Sequence, residues 1–271
     1  MTANKLETFT LPLIIAGTAV EVSGMFRDGT GIPLVFLHGF GSTKEDYADV
    51  IQQAGLAARP ILAYDAPGCG ATTCSDLETI SVPFLVSVAL EVLRFKNIAR
   101  FHLVGHSMGG LTALLLADRD ASRVASFIDI EGNVAPEDCF LSRQIINHPQ
   151  PDPEDFFRDF QDRVWHSPYY SGSLYAASLP YKVRAGAVRP IFESMVDLSD
   201  NGNLMDRFLA LPFPRMYMYG VQNNSLSYLD LLAEKGVELA EISDCGHFPM
   251  YSNASEMWRR LTAFVQGSET A

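Results

Sequence analysis

The chain contains 271 residues, of which 48% are hydrophobic and 19% are charged. This length supports a substantial core, as one large domain with an insertion or as two domains, and the composition argues against disorder. The formal net charge of −12 disfavours nucleic acid and anionic membrane surfaces as partners, because an acidic surface repels phosphate groups. No apolar run approaches the roughly 20 residues that a membrane-spanning helix needs.

The cysteines and the first residues bear on the cellular compartment. The four cysteines are Cys69, Cys74, Cys139 and Cys245. Their spacing matches no paired metal-ligand motif, so we expect no bound metal, and they suit a reducing compartment better than a disulfide framework. The apolar segment 11–17 is short, preceded by Glu7 and followed by alternating sequence, so we interpret it as a strand and not as a signal peptide. We therefore expect a cytoplasmic protein.

Short apolar segments alternate with longer helical ones along most of the chain. In chain order, the segments that predict strands are residues 9–15, 19–26, 34–37, 61–64, 101–104, 127–130, 216–219 and 237–242. Helices are predicted at 80–95 and 108–118 and again near the C-terminus. In that last helix five apolar residues share one face: Met257, Trp258, Leu261, Phe264 and Val265. The alternation predicts a doubly wound, mostly parallel, eight-stranded α/β sheet, in which ligands bind beyond the carboxyl ends of the strands.

Between residues 133 and 207 this rhythm is interrupted. The interruption is rich in proline and contains Pro149, Pro151, Pro153, Pro168, Pro180 and Pro190. Short helical pieces such as 155–165 occur in it, and a structureless loop of this length inside a compact domain would be unusual. We interpret residues 133–207 as a helical cap inserted between a first core part, 1–132, and a second core part, 208–271.

The sequence Gly105-His106-Ser107-Met108-Gly109 lies between an apolar strand and an apolar helix. This context is typical of a nucleophile elbow, a tight turn that lifts a serine hydroxyl above the sheet at the positive end of a helix. Side chains two residues away on either side would collide in such a turn, which explains the two glycines. Ser107 is therefore the candidate nucleophile.

A serine hydroxyl needs a base to take its proton, and the chain has six histidines. His247 follows the last predicted strand and precedes the final helix, where the order serine, acid, histidine places the base. His106 is expected to point away from the turn, and His38 is expected to have a structural hydrogen-bonding role. The candidate base is therefore His247.

Four segments together resemble the α/β-hydrolases of the capped esterase type. They are His38-Gly39-Phe40-Gly41, Asp65-Ala66-Pro67-Gly68-Cys69-Gly70, the segment from Gly105 to Gly110, and Gly246-His247-Phe248-Pro249. They come in the order of the family and leave only the cap unmatched. The resemblance implies a cofactor-independent hydrolase whose oxyanion hole is formed by the backbone N–H groups of Phe40 and Met108. Such donors stabilise charge that develops in the transition state.

The triad acid departs from the usual pattern of this family. Most members carry an aspartate shortly after the strand that ends at Gly220, but this chain has Asn223 there, and an amide cannot stabilise an imidazolium as a carboxylate does. Glu131, at the end of the strand after the nucleophile helix, resembles the acid of the zearalenone lactonases and some haloalkane dehalogenases. Glu131 is our predicted acid. Asp129 lies deeper in the same strand and remains an alternative, whereas Asp244 and Asp230 are less well placed.

The predicted cap is rich in aromatic residues, which indicates a small hydrophobic or aromatic substrate. Candidate substrate contacts are Gly39, Trp165, Tyr169, Tyr170 and Phe248. The leading hypothesis is a serine hydrolase, monomeric or homodimeric, that cleaves a carboxylic ester or lactone through Ser107, His247 and Glu131. A C–C bond hydrolase, a thioesterase, a cofactor-free oxygenase or perhydrolase and a non-catalytic receptor use the same fold. Dehalogenases and epoxide hydrolases are disfavoured because they carry aspartate at the position of Ser107.

Overall fold

The computed structural model describes residues 5–148 and 152–270, so Pro149 and Pro151 of the predicted cap lie outside the described residues. Within these described residues, nine strands form one sheet. They are β1 (Glu7–Ile15), β2 (Thr18–Arg27), β3 (Leu34–Leu37), β4 (Ile61–Tyr64), β5 (Thr73–Cys74), β6 (Phe101–His106), β7 (Val124–Ile130), β8 (Arg215–Gly220) and β9 (Glu238–Ile242). Their order is β1-β2-β4-β3-β6-β7-β8-β9, and the short β5 pairs with β2.

The sheet is mostly parallel, as the sequence predicts. The pairings β4–β3, β3–β6, β6–β7, β7–β8 and β8–β9 are parallel, whereas β2 pairs antiparallel with β1, β4 and β5. Every residue of β3, β4, β6 and β7 is buried, which is the pattern of strands covered on both faces. The predicted eight strands are thus confirmed, and β5 is an additional two-residue edge strand that the sequence analysis did not identify.

Ten α-helices accompany the sheet among the described residues. They are α1 (Val82–Phe95), α2 (Met108–Arg119), α3 (Phe140–Ile146), α4 (Pro153–Trp165), α5 (Gly172–Lys182), α6 (Val188–Asn201), α7 (Leu204–Ala210), α8 (Leu229–Glu234), α9 (Pro249–Ser252) and α10 (Ala254–Ser268). Helix α1 begins two residues after the predicted start, because the Ser81 side chain accepts the N–H of Phe84 and Pro83 occupies the first turn. None of these helices has both the length and the apolar character required to cross a bilayer.

Helices α3 to α7 lie between β7 and β8. Helices α3 to α6 are within the segment predicted as a cap, and α7 begins in it and extends past residue 207. This segment is tied to the core by a short antiparallel contact with the turn after β4. The backbone N–H of Gly70 donates to the carbonyl of Lys182, and the N–H of Arg184 donates to that of Gly68. The limits of the cap at residues 133 and 207 remain a prediction.

The parallel topology determines where a site can form. Strands β3, β6, β7, β8 and β9 run in the same direction, so the segments that follow them emerge at one edge of the sheet. Those segments contain Phe40, Ser107, Glu131, Asn223 and His247. Side chains far apart in the sequence are therefore brought to one edge.

Candidate active site

The turn from β6 into α2 holds Ser107 in an unusual backbone conformation. Its φ is 53° and its ψ is −120°, a combination that non-glycine residues rarely adopt. The backbone N–H of Ser107 donates to the carbonyl of Ile130 on β7 at 3.0 Å, which anchors the turn to the neighbouring strand. The hydroxyl is thereby presented at the edge of the sheet, beside the N-terminus of α2.

Close backbone contacts explain the glycines on either side of Ser107. A Cβ at position 109 would lie 2.1 Å from the carbonyl oxygen of Leu37, and one at position 105 would lie 2.5 Å from the carbonyl oxygen of Gly109. Both distances are well below contact distance, so a larger residue would force the turn apart. This geometry agrees with the nucleophile-elbow motif predicted from the sequence.

His247 lies in the loop between β9 and α9, with its side chain 38% exposed. Its Nδ1 is 2.7 Å from Oε2 of Glu131. The ring centroids of His247 and Phe248 are 5.0 Å apart in an edge-on arrangement. The imidazole is thus oriented by a carboxylate on one side and an aromatic ring on the other.

Glu131 is held by three hydrogen bonds in a nearly buried position. Its side chain is 5% exposed and its φ of 47° lies in the left-handed region, which turns the chain sharply after β7. Oε1 accepts the backbone N–H of Gly220 at 2.7 Å. Oε2 accepts the Asn223 side-chain amide at 2.6 Å, in addition to its contact with His247. Asn223, which stands at the family's usual acid position, therefore contacts the carboxylate that reaches His247.

The other carboxylates considered from the sequence have different surroundings. Asp129 is fully buried, and its Oδ1 accepts the backbone N–H of Gly132 at 2.9 Å. Burial raises the pKa of Asp129 well above its usual value, and its Oδ2 has no hydrogen-bond partner among the described residues. Asp230 lies on α8, and Asp244 occupies a turn with a φ of 50°. Of these candidates, Glu131 is the one placed against His247.

Two further histidines, His38 and His106, form hydrogen bonds with backbone groups of neighbouring turns. Nε2 of His38 accepts the backbone N–H of Ala66 at 2.8 Å, and its Nδ1 contacts the Gly39 carbonyl at 2.8 Å, so it connects two turns. His106 is buried, and its Nε2 lies 2.8 Å from the carbonyl of His247. Burial lowers the pKa of both rings, which favours the neutral form. The structural hydrogen-bonding role expected for His38 is thus confirmed, whereas the His106 ring lies next to that of His247, with the ring centroids 4.9 Å apart.

Of the two predicted oxyanion-hole residues, Met108 directly follows Ser107 in the chain, and Phe40 lines the same cavity as Ser107. Met108 is the first residue of α2, where backbone N–H groups have no acceptor within the helix. Phe40 is in the turn after β3, and its carbonyl accepts the hydroxyl of Tyr175 from α5 at 2.9 Å. This contact fixes the peptide next to the Phe40 N–H. Gly39 packs against His106, since a Cβ there would lie 2.5 Å from the ring Nδ1.

A cavity of about 400 Å³ opens next to Ser107 and His247. Its lining includes the predicted contacts Tyr169, Tyr170 and Phe248, together with apolar residues of the cap helices such as Phe160, Phe192 and Met195. Neither Gly39 nor Trp165 is among the described residues of its lining. Trp165 is 52% exposed at the end of α4, and Gly39 faces the His106 ring instead.

The cavity also has polar lining residues that the sequence analysis did not identify. They include Asn133, Asp138 and Tyr217. Tyr217 lies in β8, where its apolar neighbours indicated only a buried strand. No local motif marks these residues, because their hydrogen bonds join positions far apart in the chain. Within the described residues, no group of three or more His, Cys, Asp or Glu is arranged to hold a metal ion.

Comparison with known proteins gives a consistent result. A family model described as the alpha/beta hydrolase family matches residues 34–260. The dihydrolipoyllysine-residue acetyltransferase component of the acetoin cleaving system of Pseudomonas putida is 38% identical over 97 residues, which are 35% of this chain and 25% of that protein. The pimeloyl-acyl-carrier-protein methyl ester esterase of Aeromonas salmonicida is 35% identical over 117 residues, 43% of this chain and 42% of that protein. The chain thus spans less than half the length of these curated relatives.

Solved structures match over nearly the whole chain. An N-acyl homoserine lactonase, AidH, complexed with N-hexanoyl homoserine has a TM-score of 0.74 at 18% identity, covering 97% of this chain and 98% of that chain. A structure from a study of carboxylesterases of Nitrososphaera gargenis has a TM-score of 0.75 at 17% identity, covering 96% and 99%. At these identities, the similarity concerns the fold.

Proposed function

Because the chain belongs to the α/β-hydrolase family, we propose that it is a serine hydrolase that cleaves a carboxylic ester or lactone of a small hydrophobic molecule. One observation carries the proposal. Ser107, on its strained turn, and His247, bonded to Glu131 at 2.7 Å, line the same cavity. A nucleophile, a base and an oriented carboxylate at one cavity are the elements that acyl transfer requires.

In the proposed reaction, His247 takes the hydroxyl proton of Ser107 as the serine oxygen attacks the substrate carbonyl. The resulting oxyanion accepts hydrogen bonds from the N–H groups of Phe40 and Met108. His247 then gives the proton to the leaving alkoxide, and an acyl-enzyme remains. Water repeats the sequence with the same proton transfers and releases the acid.

Glu131 has the role of the triad acid in this scheme. Since Nδ1 of His247 faces Oε2 of Glu131, Nε2 is the nitrogen that exchanges a proton with Ser107. The carboxylate stabilises the imidazolium that forms, and the hydrogen bond fixes the tautomer. Two donors, the Gly220 N–H and the Asn223 amide, hold Glu131 in place, so Asn223 acts as a positioning residue.

The cavity supports a hydrophobic substrate. Phe160, Phe192, Met195 and Phe248 contribute apolar surface, and a volume of about 400 Å³ accommodates a small molecule. Similarity to a methyl ester esterase over 43% of this chain supports ester chemistry. Aspartate is the nucleophile in the family's dehalogenases and epoxide hydrolases, so a serine at position 107 disfavours those reactions.

The direct test is hydrolysis of p-nitrophenyl butyrate by the wild type and by Ser107→Ala. We expect the substitution to lower kcat by on the order of 10⁴- to 10⁶-fold, in the range of other triad knock-outs. Circular dichroism and the thermal unfolding midpoint serve as controls for folding. A folded Ser107→Ala protein with unchanged turnover would refute the proposal.

A further inference from the structure

The ring of His106, the residue immediately before Ser107, is fully buried between the segments that form the site. Its centroid is 4.9 Å from that of the His247 ring and 5.5 Å from that of Phe248. On its other side the ring contacts the turn after β3, where a Cβ on Gly39 would lie 2.5 Å from Nδ1. His106 is not among the described residues of the cavity lining, so it can act on the reaction only through its neighbours.

One hydrogen bond joins the His106 ring to the backbone of the base. Nε2 of His106 is 2.8 Å from the carbonyl oxygen of His247. A carbonyl oxygen only accepts, so Nε2 carries the proton and donates it. Nδ1 is buried without a hydrogen-bond partner among the described residues, so a proton on Nδ1 would have no acceptor there. The ring is therefore the neutral tautomer with its proton on Nε2.

The sheet alone does not tie the nucleophile to the base. Ser107 follows β6, His247 follows β9, and strands β7 and β8 lie between these two strands. Glu131, which follows β7, holds the imidazole of His247 at Nδ1. The bond from His106 instead holds the backbone of His247, and it starts from the residue next to Ser107. It thus connects the base directly to the turn that presents the nucleophile.

We propose that His106 is a positioning residue that holds His247 at the distance from Ser107 that proton transfer requires. This inference rests on the proposed function and adds a residue to its machinery. Without the bond, the loop that carries the half-exposed base would lose its backbone contact with the end of β6. A displacement of about 1 Å can cost on the order of 100-fold in rate, so one hydrogen bond at this place has a large effect.

A neutral donor suits this position. His247 becomes positively charged when it takes the proton of Ser107, and a second cation with its centroid 4.9 Å away would oppose that step. Burial, together with the neighbouring His247 and His38, lowers the pKa of His106 well below its usual value, so the ring stays neutral. His106 can therefore hold the base without opposing its charge.

The first test compares two substitutions of His106 in the hydrolysis of p-nitrophenyl butyrate at pH 8. His106→Phe fills a similar space without a donor, whereas the side-chain amide of His106→Gln can donate to the same carbonyl. We expect His106→Phe to lower kcat by about 10- to 100-fold through misplacement of the base. KM should change little, because the described cavity lining does not include His106. His106→Gln should recover most of the loss in kcat.

His102 offers a matched control on the same strand. It is also fully buried, and its ring nitrogens lie 2.7 Å from Oγ of Ser126 and 3.1 Å from Oε1 of Glu269, none of which is among the described lining residues. His102→Phe therefore removes ring hydrogen bonds from β6 as well, and it should lower Tm but leave kcat close to that of the wild type. Equal losses of kcat in His102→Phe and His106→Phe, or an unchanged kcat in folded His106→Phe, would overturn the positioning role.

A spectroscopic measurement tests the inference without turnover. In protein labelled with ¹⁵N-histidine, long-range ¹H–¹⁵N spectra show which ring nitrogens carry protons. For the wild type we expect His106 to be neutral and protonated on Nε2, and His247 to show a downfield Nδ1–H signal from its bond to Glu131. This signal should move upfield and broaden in His106→Phe and return in His106→Gln. A wild-type His106 protonated on Nδ1 would overturn the inference, and this result does not depend on whether the variants fold.

The two measurements separate this inference from the proposed function. A wild type without hydrolysis that depends on Ser107 would refute the hydrolase proposal, while a His247 signal that responds to the donor at position 106 would still support the positioning of His247. Hydrolysis that depends on Ser107, with the same kcat in the wild type and in folded His106→Phe, would instead refute the positioning role alone.

Discussion

The two sides of the cavity are built differently. On the core side, polar side chains sit at the ends of paired strands and are fixed by hydrogen bonds, as Glu131 is by Gly220 and Asn223. On the cap side, aromatic and aliphatic side chains come from helices, and Tyr169 and Tyr170 remain 54% and 45% exposed. The rigid side can hold reacting groups to a fraction of an ångström, whereas the cap side shapes the space that a substrate occupies.

The largest expected effect is on the core side and distinguishes two carboxylates two residues apart. Glu131→Gln should lower kcat for p-nitrophenyl butyrate by on the order of 10⁴-fold, because an amide supports the wrong tautomer of His247 and does not stabilise its charge. Asp129→Asn keeps an acceptor for the Gly132 N–H and should leave kcat little changed. Steady-state kinetics on both folded variants decide the matter, and a larger loss in Asp129→Asn would reverse the assignment.

The Glu131→Gln variant can be used to test whether a carboxylate at position 223 replaces that of Glu131. The Asn223 amide lies 2.6 Å from Oε2 of Glu131, so an aspartate at 223 would reach the same region beside His247. Adding Asn223→Asp should restore kcat by on the order of 10²-fold, the range of a hydrogen bond to a charged group. Glu131→Gln with Asn223→Ala is the control and should show no recovery. If the two double variants are equally inactive, Asn223 is not within reach of His247.

The cap side should give smaller effects, on KM. Tyr169 and Trp165 are both about half exposed on the cap, but only Tyr169 is among the described residues of the cavity lining. Tyr169→Ala should raise KM for an aromatic ester by about 2- to 10-fold, the usual range of one aromatic contact. Trp165→Ala is its matched partner and should change KM less than Tyr169→Ala. Equal effects would place the substrate outside the cavity described above.

The smallest effect concerns a partly exposed ion pair away from the cavity, between Arg59 and Glu269 at the end of α10. Arg59 donates to Glu269 at 2.7 Å and holds the pKa of this carboxyl at about 2, below its ordinary 4.5. The ionised form is thus favoured in the folded state, and its stabilisation is present above pH 4.5 and lost as the pH falls towards 2. Glu269→Gln should lower the free energy of unfolding at pH 7 by less than about 1 kcal/mol. Urea unfolding should show this difference vanish near pH 2, and a difference that persists there would contradict it.

The sequence could predict features that depend on local contacts better than features that depend on contacts between distant segments. The turn around Ser107 was predictable because steric contacts require glycines at 105 and 109, and this requirement is local. The strands were predictable from apolar runs, except for β5, whose two residues leave no pattern. The approach of Glu131 to Asn223, 92 positions away, was not, since a hydrogen bond between distant segments depends on how the sheet is ordered.

The cap and the polar residues Tyr217 and Asp138 of the cavity lining were the least predictable parts. Aromatic content indicated that the cap contributes to a hydrophobic cavity, but it could not distinguish Tyr169 from Trp165, because their orientation depends on how α4 and α5 pack. Tyr217 and Asp138 carried no motif. Tyr228 connects them in the fold, because its hydroxyl contacts the Tyr217 hydroxyl and donates to the Asp138 carboxylate. In the sequence, Tyr228 does not lie between them.

The central claim is that Ser107 is an activated nucleophile. It is tested most directly by incubating the folded protein with a fluorophosphonate probe and measuring the intact mass, followed by peptide mapping. The account predicts a single adduct on Ser107 in the wild type and none in Ser107→Ala. An unlabelled wild type, or an adduct on another residue that persists in Ser107→Ala, would contradict it.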